Sequence, residues 1–69
     1  MRVKEWVKED RDFSRQDYRE TSYSVGELGG ERMFQIQTRS AKGAVTQTIQ
    51  FDRTRAQELA EILKIEFDL

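Results

Sequence analysis

The sequence predicts an α+β fold, a three- or four-stranded antiparallel β-meander packed on one C-terminal α-helix. Three patterns carry this. Met33-Phe34-Gln35-Ile36-Gln37-Thr38-Arg39 and Val45-Thr46-Gln47-Thr48-Ile49-Gln50-Phe51 alternate apolar and polar residues with period two, as strands with one buried face do. Turn residues punctuate them: Gly29-Gly30 before the first run and Ser40-Ala41-Lys42-Gly43 between the two. After Asp52 the period lengthens, with apolar residues at Ala56, Leu59, Ile62 and Leu63 on one helical face.

Taken in order, residues 1–9 fit two conformations. Val3, Trp6 and Val7 lie at i, i+3 and i+4, which suits a helical face, while Val3 and Val7 also share one face of a strand. Either form buries Trp6, and pairing of residues 2–8 would supply the fourth strand. Residues 8–20 are dense in charge with little periodicity and read as a long loop or mobile segment. Thr21 to Leu28 is a strand, with Tyr23 and Val25 on one face and Ser22 and Ser24 on the other. The Gly29-Gly30 pair suits a tight hairpin, because primed turns need positive φ. Gly43 serves the second, looser turn by the same freedom.

Asp52 is the expected N-cap, its carboxylate accepting from the free amides of the first turn. Thr54 with Gln57 offers a competing capping box two residues on. Leu59, Ile62 and Leu63 are expected to lie against Phe34, Ile36, Ile49 and Phe51. Ile65, Phe67 and Leu69 alternate with acidic residues, which is strand-like, or forms an apolar tail for a partner. The whole of 1–69 is expected to be one small domain: 21–69 form the hairpins and helix, and 1–20 a charged, partly mobile N-terminal segment.

A chain of 69 residues has little interior, since a domain of this size buries only about 60% of its unfolded surface. It has no Cys to form disulfides and no His, so the standard zinc ligand sets are missing. Self-association, with a homodimer as its simplest form, is one route to stability; a lone monomer is the other. The formal net charge of −1 gives no global attraction to nucleic acid or acidic membrane. Locally the sheet region is slightly basic, with Arg32, Arg39 and Lys42 against Glu27 and Glu31, while the helix region is acidic. No apolar run approaches a membrane span or signal core, so a soluble cytoplasmic protein is the default expectation.

Catalysis is not expected. No His is present to activate Ser22, Ser24 or Ser40. The carboxylates Glu9, Asp10 and Asp12 sit among arginines as a solvated charge run. The glycines form no phosphate loop, and no metal or cofactor site is indicated. Two surfaces remain. On the sheet, Gln35, Gln37 and Arg39 are expected to point outward, joined by Thr46, Thr48 and Gln50. Such side chains can bond phosphates, sugars and base edges, although they are also ordinary solvent-side residues. In the N-terminal half, Trp6, Arg11, Phe13, Arg15, Tyr18, Arg19 and Tyr23 interleave arginine with aromatics, which suits base stacking, protein contacts or simply extra core.

The hairpin Glu31–Phe51 and the run Ile49-Gln50-Phe51-Asp52-Arg53-Thr54-Arg55-Ala56-Gln57-Glu58-Leu59 resemble the single-stranded DNA-binding superfamily of positive-cofactor-four coactivators, Whirly proteins and Pur repeats. In those proteins a final strand likewise passes through a cap into a helix used for dimerisation. The resemblance covers about two-thirds of the chain and is one of pattern. It implies a non-enzymatic single-stranded nucleic-acid-binding or transcription-regulating module, with binding on Arg32, Gln35, Gln37, Arg39, Lys42, Thr46 and Thr48. The alternative is a protein-interaction module, such as a small inhibitor or assembly subunit.

Overall fold

The computed structural model describes residues 1–69 and shows three strands followed by one helix: β1 (Thr21–Leu28), β2 (Glu31–Arg39), β3 (Val45–Asp52) and α1 (Arg53–Phe67). The strands form one antiparallel sheet in the order β1-β2-β3. This is the α+β arrangement the alternating runs predict.

The β1–β2 hairpin closes through two residues, Gly29 and Gly30, with φ of 59° and 81°. Leu28 faces Glu31 directly across that turn. The β2–β3 turn is held by Ser40, whose amide donates to the Ala44 carbonyl at 2.8 Å and whose carbonyl accepts from Gly43 at 2.9 Å. The register carries one irregularity. Thr38 pairs with Gln47 but Arg39 pairs with Val45, so Thr46 is the extra residue of a bulge.

Registered pairs share a face, so the sheet has two. Tyr23, Ile36 and Ile49 lie in one row and Val25, Phe34 and Phe51 in the next. These make the apolar face. Their rings form a ladder across the sheet: Tyr23 stacks on Phe34 with centroids 5.4 Å apart, and Phe34 meets Phe51 at 5.2 Å. Trp6 ends the ladder, edge-on to Phe51 at 5.9 Å.

The N-terminal segment is a strap rather than a fourth strand. It makes a single parallel bridge, Arg2 to Gln50, on the outer edge of β3. The Val3 amide donates to the Gln50 carbonyl, and the Gln50 amide to Met1, both at 2.9 Å. The chain then leaves the sheet and Trp6 Nε1 donates to the Arg55 carbonyl at 2.9 Å. Satisfying the indole N–H on the helix fixes Trp6 over Phe51, so pairing stops after Val3 instead of running to residue 8. Residues 4–20 hold no strand or helix.

Asp52 caps α1 with extended backbone and accepts from the Arg55 amide at 2.9 Å. Thr54 lies inside the helix, so the competing capping box is not used. The helix runs through Ile65 to Phe67 and is closed by Asp68 in the left-handed conformation, whose amide reaches the Lys64 carbonyl. The alternation of residues 65–69 therefore does not make a strand. Backbone bonds at the end of α1 were available without any sheet partner.

The largest departure from expectation is the core. Only Met33 and Phe51 are buried, at 6% and 5% exposure. Phe34, Ile36 and Ile49 are half-buried. On α1, Arg55, Ala56 and Leu59 are half-buried and every residue from Ala60 onward is exposed. Ile62 and Leu63, expected against the sheet, remain 39% and 40% exposed. Only the first two turns of the helix meet the sheet; the rest extends past it. No helix is long and apolar enough to cross a membrane.

Candidate nucleic-acid interface

The polar face of the sheet is built from residues of the opposite parity. Ser22, Gln37 and Thr48 share one row, and Ser24, Gln35 and Gln50 the next. None of these six side chains carries charge. Five of them are tied into a two-part ladder: Gln50 Nε2 donates to Gln35 Oε1 at 2.8 Å and Gln35 Nε2 to Ser24 Oγ at 3.4 Å, and separately Gln37 Nε2 donates to Thr48 Oγ1 at 3.4 Å. An amide has two donor hydrogens and two acceptor sites, so each Gln retains capacity for a ligand. The bonds within the ladder hold the amides in a defined orientation.

Bases flank this field. At the turn end stand Arg39 and Lys42, neither ion-paired with a carboxylate. Arg39 Nη1 donates to the Gly43 carbonyl at 3.2 Å, which holds the guanidinium beside the turn. At the other end Arg2 approaches the Met33 sulfur at 4.0 Å and the Glu31 carboxylate at 3.9 Å. Its side chain is still 60% exposed. The acids nearest the field are both engaged, Glu31 with Arg2 and Asp52 in the helix cap.

Five of the seven residues expected here, Gln35, Gln37, Arg39, Lys42 and Thr48, lie on this face or at its turn end. Two do not. Arg32 pairs in register with Glu27 and has the parity of Phe34, so it belongs to the apolar face. There it lines a groove with Val25, Phe34, Phe51 and Ala56. Thr46 is displaced by the bulge, and its hydroxyl lies 2.9 Å from that of Thr38, which has the parity of Phe34 and Ile36. Arg2 was missed because the bridge that brings it to the sheet edge has no local sequence signal.

The arginine–aromatic interleaving disperses. Trp6 joins the core and Tyr23 the apolar ladder. Phe13 and Tyr18 are fully exposed, at 99% and 102%. Arg11 pairs with Glu9 at 2.6 Å and Arg19 with Asp17 at 3.5 Å, so neighbouring acids neutralise that segment. No group of three or more metal-ligating side chains converges anywhere in the fold. No protein family, curated protein or solved structure matches this chain.

Proposed function

We propose that this chain is a small non-enzymatic module that binds single-stranded nucleic acid through the polar face of its sheet, in a regulatory role. One observation carries the reading. Six uncharged hydrogen-bonding side chains on three strands form a continuous field, with a base at one end, two at the other, and no carboxylate between them. From Met33 to Arg39 the strand spacing makes this field about 20 Å long.

The chemistry follows from the residue types. Arg39 and Lys42, which pair with no carboxylate, neutralise phosphate, and the Gln, Ser and Thr side chains bond base edges and sugars. Unpaired bases can lie on a flat sheet that would not enter a duplex groove as a helix does. The aromatic rings all lie elsewhere, so stacking, usually worth about 1–3 kcal/mol per base, contributes little. Affinity is therefore modest and carried by phosphate contacts. Two of them correspond to a salt slope of roughly −1.4 on single strands.

A fluorescence-anisotropy titration with a labelled oligonucleotide at low salt tests this. Micromolar binding with single strand preferred over duplex is the expected result. No binding in that range would remove the reading. The second reading is a protein-interaction module, favoured by the full exposure of Phe13 and Tyr18 on a segment without strand or helix. Its affinity would be nearly indifferent to salt and lost on replacing those two aromatics.

A further inference from the structure

The sheet has two edges, and the chain closes only one of them. Along β3 the first residues lie as a strap: the Val3 amide donates to the Gln50 carbonyl and the Gln50 amide to Met1, both at 2.9 Å, and the N-terminal amine reaches the Thr48 carbonyl. Along β1 nothing lies. It is the outermost strand, and the one bridge outside the named strands is that of Arg2 to Gln50. Folded proteins blunt such an edge with proline, lysine, a bulge or a very short strand. β1 has none of these. It runs for eight residues, pairs with β2 without a register shift, and carries Glu27 as its single charge.

The strap also tells which backbone groups of β1 stand free. In an antiparallel strand the N–H and C=O of one residue point to the same side, and successive residues alternate. Gln50 spends both groups on the strap, so its register partner Gln35 turns its own toward β1. Ser24, opposite Gln35, then bonds inward. Thr21, Tyr23, Val25 and Glu27 therefore each direct an amide and a carbonyl away from the sheet. The same residues lie on the apolar face, where Tyr23 is 73% and Val25 47% exposed.

We propose that this open edge takes β1 of a second copy, antiparallel, with Ser24 on the twofold axis. In that register Tyr23 faces Val25 of the other copy and Thr21 faces Glu27, so every outward amide and carbonyl of one β1 meets its complement in the other. The axis stands perpendicular to the sheet, so apolar face continues into apolar face and polar into polar. Tyr23 already stacks on Phe34; it gains Val25 of the other copy on its free side, an aromatic–β-branched pair of the kind that stabilises sheets. On the polar side Ser24 faces Ser24 and Ser22 faces Gly26. Glu27 lies opposite Thr21, so no like charges meet. Sliding one strand by a single residue would set outward groups against inward ones, and sliding it by two would leave Thr21 or Glu27 beyond the end of the other β1. A second copy fits better than an unrelated extended peptide because the match of backbone groups, faces and charge is already complete within β1. The pairing is isologous and closes as a dimer. Two three-stranded sheets become one, and α1 takes no part. The dimer does not depend on the polar face binding nucleic acid.

Sedimentation velocity on the full chain should show 8.2 kDa giving way to twice that mass at high micromolar concentration. Val25→Pro removes an outward amide and keeps every bond between β1 and β2, a place where an edge strand tolerates proline. It should weaken the dimer at least tenfold with the sheet signal in circular dichroism unchanged. Because the chain has no Cys, introduced cysteines report proximity without background. Ser24→Cys sets a thiol at the axis, in a non-hydrogen-bonded pair whose Cα spacing of about 4.5 Å admits a disulfide, and should cross-link the copies under mild oxidation. Ser22→Cys, which faces Gly26 rather than its own counterpart, should not. A monomer at high micromolar concentration overturns the proposal. So does a folded Val25→Pro chain that dimerises as well as the wild type, or Ser22→Cys cross-linking as fast as Ser24→Cys. Should Val25→Pro fail to fold, the comparison of the two cysteine variants decides alone.

Discussion

Only two side chains are buried in this fold, and they lie on opposite faces of the sheet. Phe51 lies between Phe34 and Trp6 on the apolar face. Met33 lies on the polar side beneath the Arg2 guanidinium. Replacing Phe51 by Ala should cost about 3–5 kcal/mol, as for other buried aromatics. Against a total stability of roughly 5 kcal/mol for so small a domain, that unfolds much of the population, which urea titration followed by circular dichroism would show. Trp6→Ala should cost less, roughly 2–3 kcal/mol, because the ring is only half-buried; it should also release the strap, read as faster amide exchange at Val3. A loss equal to that of Phe51→Ala would mean that the strap holds the sheet itself. Arg39→Ala belongs to function. It should flatten the salt slope by about one contact while lowering stability by no more than about 1 kcal/mol, the value of its bond to the Gly43 carbonyl.

At the scale of elements, the strands, the first turn and the cap were legible because each is a local decision. Period two fixes a strand face, two glycines fix a primed turn, and Asp52 ahead of an apolar stripe fixes a helix start. Asp52→Ala should therefore cost about 1 kcal/mol and fray the first turn. Gly30→Ala should cost more than that, because φ of 81° strains any residue with a Cβ. What was not legible depends on meetings between distant residues. The bulge at Thr46 falls in the polar run Thr46-Gln47-Thr48, where no apolar residue marks the face, and it removes Thr46 from the polar field and turns Val45 toward the row of Arg39. The placement of Arg32 follows from its parity with Phe34, which the basic character of the region obscured. The helix end misled for another reason. Ile65, Phe67 and Leu69 alternate like a strand, but Ile65 and Phe67 continue the helix from Ile62 and Leu63, and the Lys64 carbonyl closes it by accepting from Leu69.

For the molecule as a whole, the apolar stripe on α1 is half-buried as far as Leu59 and exposed from Ile62 onward. Leu63→Ala should cost less than the about 2–5 kcal/mol of a buried leucine, because the residue is 40% exposed. A melting temperature lowered as far by Leu63→Ala as by Phe51→Ala would contradict that placement. Function turns on the other side of the sheet, where six uncharged side chains lie between bases. The direct test is a two-dimensional NMR titration of the isotope-labelled chain with an unlabelled single-stranded oligonucleotide. Shifts concentrated at Ser22, Ser24, Gln35, Gln37, Thr48 and Gln50, with Arg2 and Arg39 at the ends, are the expected result. Shifts confined to Phe13, Tyr18 and the apolar face, or none at all, would contradict it.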